Sequence, residues 1–385
     1  MHQILLPNYL NIGGGSIKKI TDVLKSMNCK SPIIITDKTL VKLGALNSLE
    51  ENLTSMQIRY TIFKDTIPEP TASSIKKGVL AIKNGKYDCI IAFGGGSPID
   101  SAKAMSVLAK FGGSIKDYKF PNIVSKKGIP IIAIPTTAGT GSEVTKFTII
   151  TDDETDEKML CVGPSFLPSA AIVDYELTLS VPKRTTADTA IDALTHAIEA
   201  YVSRKANTFS DTQAISAMKL ISPNLRKVYK NINDKCAREK VMIGATLAGL
   251  AFSNSSVALV HGMSRPIGAL FHVPHGLSNA MLLPSITEFS LKDASKKYSE
   301  CAMAMGLAHS NDSEENANAK LLEELYQLNI DLEVPTPEDY GIDKTAFKKH
   351  LNVMAEQALA SGSPNNNPKI PSHNEIVKLY EQLWI

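Results

Sequence analysis

Four side chains in the second half of the chain are of the types that hold a divalent cation. Asp192 and His196 stand one helical turn apart in DALTH, so a helix there puts both on one face. His261 and His275 follow, each with a glycine directly after it. One carboxylate with three imidazoles suits a borderline ion such as Fe2+ or Zn2+ and fits Ca2+ or Mg2+ poorly. A D-x-x-x-H spacing also arises by chance, and a solitary helical histidine more often packs than ligates. Spacing alone leaves both readings open. Of the eight histidines, His272 lies between the last two of these residues, while His2, His309, His350 and His373 show no partner pattern and read as surface residues.

A second group of residues suits an anion. Gly94-Gly95-Gly96-Ser97 directly follows the apolar run 88–93 and opens a helical pattern over 98–109. Glycines let a backbone approach a phosphate, and the N–H groups of a helix start face it. A plain turn is the competing reading. The segment 135–142, PTTAGTGS, follows the run 130–134 with several hydroxyls and two glycines. Two such loops at strand ends favour a dinucleotide over a single phosphate, since open α/β sheets bind ligands outside the carboxyl ends of their strands. A hydroxyl-rich connection that satisfies its own backbone is the alternative. Asp37 ends the run 31–36. A carboxylate there either grips an adenosine ribose and repels a 2′-phosphate, favouring NAD over NADP, or caps the helix beginning near Lys38.

These groups need elements to hold them. The runs 31–36, 88–93, 130–134 and 170–173 are short, apolar and ended by turn residues, as strands buried on both faces are. Helical spacing separates them, over 16–25 and 72–84, for example. The alternation predicts an open, Rossmann-like α/β domain over 1–182. Beyond Pro182 the apolar spacing becomes helical: 186–204, 208–229, 237–252, 286–305, 314–327, 343–359 and 373–383. An all-helical domain over 183–385 is expected. The stretch 361–371, SGSPNNNPKIP, reads as a surface loop.

Composition narrows the function classes. Apolar residues form 43% and charged residues 21% of the 385-residue chain, enough for sizeable cores. The net charge of +2 comes without long charged runs, so no nucleic acid or polyanion is expected. No stretch approaches the roughly 18 apolar residues of a membrane span, and the amino terminus does not read as a signal peptide. Five scattered cysteines without a C-x-x-C suit a reducing compartment. A cytoplasmic protein with no membrane partner is expected.

Taken together, six segments resemble the iron-containing (group III, metal-dependent) alcohol dehydrogenase family. They are TDKTLVKLG (36–44), PEPT (68–71), GGGSPIDSAKA (94–104), PTTAGTGSEVT (135–145), DALTHAIEAYVS (192–203) and HGMSRPIGALFHVPHG (261–276). Six motifs in order over nearly the whole chain are specific where each alone is modest. The resemblance implies a dinucleotide domain, a helical metal domain, an active site in the cleft between them, and a homodimer or larger homo-oligomer. It implies Asp192, His196, His261 and His275 as ligands of Fe2+, with Zn2+ as the competing ion. It matches Gly95, Gly96, Ser97 and Asp100 to the pyrophosphate-binding loop and its helix. Thr136, Thr137, Thr140 and Thr145 match the cofactor cleft, Lys158 a lysine near the nicotinamide ribose, and Asp37 the NAD-selecting acid. Phe147 and Phe252 match positions near the substrate pocket, although core packing is the ordinary role of a phenylalanine.

Two residues depart from the pattern. Where many relatives have a histidine four residues after the third ligand, this chain has Arg265, which cannot usefully deprotonate. His272 is therefore the candidate for passing a proton to solvent, with a packing role as its alternative. The implied reaction moves a hydride between nicotinamide and a small primary alcohol, diol or aldehyde. A lyase of the dehydroquinate synthase type, or a non-catalytic nucleotide-binding paralogue, are the rival readings. The basic cluster expected for a phosphorylated, carboxylated substrate is missing, and the full set of four ligands disfavours a non-catalytic protein.

Overall fold

The computed structural model describes residues 2–384. One compact unit spans Gln3–Val181, and the other begins at Pro182. In the first, six parallel strands lie in the order β1-β8-β5-β4-β2-β3. They are β1 (Tyr9–Ile12), β2 (Pro32–Ile35), β3 (Thr61–Phe63), β4 (Cys89–Gly94), β5 (Ile131–Pro135) and β8 (Ala170–Val173). A two-stranded antiparallel ribbon, β6 (Phe147–Thr151) with β7 (Lys158–Val162), is separate from this sheet. Helices α1 (Ile20–Ser26), α2 (Lys38–Lys42), α3 (Asn47–Ser55), α4 (Ala72–Asn84) and α5 (Gly96–Phe111) connect the strands.

The apolar runs make central strands because both of their faces are covered. Ile33, Ile35, Ile90, Ala92, Ile131 and Ala133 pack with α4 and α5. The alternate residues Ile34, Cys89, Ile91, Phe93, Ile132 and Ile134 pack with α1 and α3. Nearly continuous hydrophobicity is what a parallel strand buried on both sides requires. Strand order reverses between β2 and β4, so Asp37 and the glycine loop emerge at the switch point of the sheet. Gly94 turns the chain there at φ +147°, and a Cβ on it would sit 2.6 Å from Pro98 Cγ. Only glycine fits both constraints.

The second unit is helical: α6 (Lys183–Val202), α7 (Thr208–Lys230), α8 (Lys235–Asn254), α9 (Leu259–Phe271), α10 (His275–Ser290), α11 (Ser295–Ala304), α12 (Glu314–Asp331), α13 (Lys344–Ala360) and α14 (His373–Gln382). Helix α6 is buried along almost its whole length and packs against α7, α8 and α10. Among the described residues no single helix is long and apolar enough to cross a membrane; α8 and α9 pass that test only as a pair, bent by 104°.

Three expectations need correction. The helix read over 286–305 is two helices, α10 and α11, joined by the 3-10 turn Leu291–Ala294. Helix α9 escaped notice because Gly262, Pro266 and Gly268 interrupt it, although Leu259, Val260, Met263 and Ile267 bury a consistent face. The segment 361–371 is not a loose surface loop. Ser363–Asn366 forms a 3-10 turn, and the buried Asn367 donates to Ser290 Oγ at 2.8 Å.

Candidate metal centre and dinucleotide loops

Helix α6 presents Asp192 and His196 from successive turns; α9 supplies His261 and α10 supplies His275 from its first residue. One donor atom from each lies within 4.8 Å of every other. Asp192 Oδ1 stands 3.4 Å from His261 Nε2, 3.7 Å from His275 Nε2 and 3.8 Å from His196 Nδ1. Donors held about 2.1 Å from a tetrahedral ion are themselves about 3.4 Å apart, so a small divalent ion fits this set with little movement. His275 is the most open of the four, its side chain 30% exposed. Gly276 lets α10 start this close to α6, because a Cβ there would meet the Asp188 carbonyl oxygen at 2.3 Å.

Asn279, one turn after His275, sharpens the test. Its amide nitrogen is 2.7 Å from Asp192 Oδ1, 3.2 Å from His261 Nε2 and 3.3 Å from His275 Nε2. Its own Oδ1 is buried without a hydrogen bond. Two N–H groups cannot serve three acceptors well. A cation taking the two imidazole lone pairs resolves the conflict and leaves Asn279 to Asp192.

Glu199 is the residue that sequence reading missed here. It lies three residues beyond His196 on the buried face of α6. Its carboxylate accepts from Ala258 N at 2.9 Å and Val260 N at 2.6 Å, which satisfies the start of α9 in place of a side-chain cap. It also faces His261 Nδ1 at 2.6 Å. That contact places the proton on Nδ1 and turns the Nε2 lone pair toward the other donors. Burial opposes charge on His261, but Glu199 and Asp192 outweigh it, and its pKa rises to about 8. Burial alone would raise Asp192; His196, His275 and His261 hold it well below the usual carboxylate range.

The neighbours differ in kind. The Phe252 ring stacks on His196 with centroids 4.2 Å apart, so it covers one of the four donors. Arg265, one turn after His261, reaches Ser363 Oγ at 3.3 Å, and burial lowers its pKa to about 10 against the pull of Glu199. His272 ends α9 in the left-handed conformation at φ 55°, with its ring exposed and its carbonyl accepting from Tyr340 Oη at 3.2 Å. Among the described residues no hydrogen bond joins that ring to the four donors.

In the α/β unit, the carboxyl ends of β4 and β5 place the two small-residue loops side by side. A Cβ on Gly95 would approach Thr137 to 3.3 Å and one on Gly96 would approach Thr140 to 2.9 Å. Helix α5 starts at Gly96 with Gly95 as a cap that has no side chain to offer, so its first-turn N–H groups suit a pyrophosphate. Asp37 Oδ1 accepts from Leu40 N at 2.9 Å, the capping role. Thr136 is buried, and Ser97 Oγ accepts from Glu69 N at 3.3 Å.

Other residues matched to the cofactor site make contacts within this unit. The Asp100 carboxylate accepts from Ser142 Oγ at 2.6 Å and Ile149 N at 2.9 Å. Burial raises its pKa against these contacts and Lys103. Lys103, which sequence reading also missed, is fully buried. It donates to Ser142 Oγ, to Thr145 Oγ1 and carbonyl, and to the Phe147 carbonyl at 2.7–3.1 Å. Desolvation lowers its pKa to about 8. Asp100, Lys103 and Thr145 thus tie α5 to β6 and the loop before it. Lys158 pairs with Glu69, and the half-buried Phe147 opens β6.

Comparison with known proteins agrees with this geometry. The model of the iron-containing alcohol dehydrogenases matches residues 7–175, and that of the Fe-containing alcohol dehydrogenase family, C-terminal, matches residues 186–384. The chain belongs to the iron-containing alcohol dehydrogenase family. It is 39% identical to long-chain-alcohol dehydrogenase 1 of Geobacillus thermodenitrificans, over 94% of this chain and 92% of that one. It is 34% identical to lactaldehyde reductase of Escherichia coli, over 97% of each. The structure of a 1,3-propanediol oxidoreductase superposes with a TM-score of 0.95 over 100% of both chains at 33% identity. The chain is thus an oxidoreductase of the alcohol dehydrogenase type, in a family that uses a metal and NAD(H).

Replacing Glu199 with Gln is expected to weaken divalent-ion affinity about 10- to 100-fold, measured by chelator competition. Because a ligating imidazole must be neutral, affinity of the unaltered chain should fall about tenfold per pH unit below about 8. The Gln variant should start that decline at lower pH. Equal affinities and superimposable pH curves would exclude the role given to Glu199.

Proposed function

We propose that this chain interconverts a small primary alcohol or diol and its aldehyde, using NAD(H) and one divalent ion held by Asp192, His196, His261 and His275. The observation that carries the reading is the convergence of those four donors within 4.8 Å in a chain of this family. Relatives named for a long-chain alcohol, lactaldehyde and 1,3-propanediol support the alcohol, aldehyde and diol classes. When bound, the ion would supply Lewis-acid charge for the substrate oxygen and NAD(H) the hydride chemistry.

The chain's own residues do the rest. Gly95, Gly96 and Ser97 present backbone N–H groups to the pyrophosphate, while Thr136, Thr137 and Thr140 line the cofactor beside them. Asp100 and Thr145 act on that site by bracing. Lys158 is assigned to the nicotinamide ribose, where it would exchange its partner Glu69. Glu199 fixes the tautomer of His261. Phe252 shields one face of His196 from water, and Phe252 and Phe147 are the apolar residues assigned to the substrate. His272, exposed and three residues from His275, takes the alcohol proton at a ring nitrogen and passes it to solvent. Fe2+ is the assigned ion, with Zn2+ able to occupy the same donors. The chain is assigned to the cytoplasm on its scattered thiols, and to a homodimer on the exposed apolar residues Tyr9, Leu10 and Ile12 along the edge strand β1.

Protein prepared without oxygen and stripped of metal should oxidise NADH with short aldehydes only after Fe2+ or Zn2+ is restored. No metal-dependent loss of NADH across a broad aldehyde panel would sink the reading. Asp37→Ser should narrow the preference for NADH over NADPH, read as the ratio of kcat/KM values; an unchanged ratio leaves Asp37 as a cap alone. His272→Ala should alter the pH–rate profile, and an unchanged profile at near-normal kcat removes the relay. Light scattering should give twice the chain mass, falling toward one chain in Leu10→Lys.

A further inference from the structure

The amino ends of the central strands β2 and β4, opposite the glycine loops, carry a second cluster of donors. Cys29 lies between α1 and β2, Asp88 directly precedes β4 and Cys89 begins it. Backbone contacts hold the two segments together. Asp88 N donates to the Ser31 carbonyl at 3.1 Å, and the Asp88 carboxylate accepts from Lys30 N at 2.6 Å and Ser31 N at 3.0 Å. In this arrangement Cys29 Sγ, Cys89 Sγ and an Asp88 carboxylate oxygen all lie within 4.8 Å of one another. Around a tetrahedral ion, sulfur donors at about 2.3 Å and oxygen donors at about 2.1 Å stand about 3.6 Å apart. The cluster therefore needs a contraction of an ångström or so at most.

Burial and charge point the same way. Both thiols are buried, against Leu24, Ile34 and Ile91, while Asp88 is exposed and opens the cluster to solvent. Cys29 Sγ donates to the Met27 carbonyl at 3.6 Å, a weak contact that a cation held by the two sulfurs would replace.

We propose that Cys29, Cys89 and Asp88 form a second cation site, of the thiophilic class that takes Zn2+, independent of the Asp192 centre. Binding displaces the thiol protons to solvent and leaves a fourth position, beside Asp88, to water. Zinc in the purified chain would then report on this site as well as on the catalytic one.

The test uses the full-length, reduced, metal-free protein titrated without oxygen with Zn2+, and with Co2+ as a probe of sulfur ligation. Two equivalents are expected, one of which gives a thiolate-to-cobalt charge-transfer band. Cys29→Ala and Cys89→Ala should each lose that band and one equivalent, while the other equivalent remains. Asp88→Asn, which keeps an acceptor for the backbone, should weaken the band-forming site. If Cys29→Ala melts early, the near-isosteric Cys29→Ser carries the same comparison. Absence of the band in the reduced wild-type chain, or its survival in both cysteine variants, overturns the proposal. So does a reduced chain that binds one equivalent and forms only a Cys29–Cys89 disulfide in air.

Discussion

A carboxylate at 2% exposure, surrounded by three imidazoles, is the constraint on which the helical unit depends. Asp192 is charged and almost wholly removed from water. Such a group is tolerated only where its lone pairs are met by donors or cations. The donors come from three helices, so α6, α9 and α10 must start, stop and cross where they do. Gly276 permits the approach of α10 to α6. Glu199 pins the start of α9 to α6 and, through the same carboxylate, orients His261. Packing and the convergence of the four donors are thus one arrangement rather than two.

The α/β unit solves a related problem differently. Its glycine loop opens α5 without a side-chain cap. Stability comes from behind. Lys103, buried inside α5, spends its donors on Ser142, Thr145 and the Phe147 carbonyl, and Asp100 takes the Ser142 hydroxyl and Ile149 N. A buried ammonium with this many acceptors holds the second loop against the helix that the first loop begins.

Much of this was legible in the residues. The four-donor set, the glycine loop and the strand–helix alternation are local patterns, and local patterns survive in a linear text. Glu199 and Asn279 were also within reach, because each lies on the helical face that already carries a ligand. Helix α9 was harder, since Gly262, Pro266 and Gly268 lower its intrinsic propensity and only burial of its apolar face overrides them. The packed turn at Ser363–Asn366 looked like a loop for the same reason: Asn and Pro mark turns whether or not something covers them.

The residue types and spacing of Asp192, His196, His261 and His275 by themselves determined which ion chemistry was possible, and the order of the six motifs determined the family. Which oxygens and nitrogens meet was decided only by tertiary structure. Asp100, Thr145 and Lys158 carry the right chemistry for a cofactor, yet each spends its side chain on a residue distant in sequence. Hydrogen bonding is directional and short-ranged, so a motif specifies the donors that are available, while the packed fold specifies where they point.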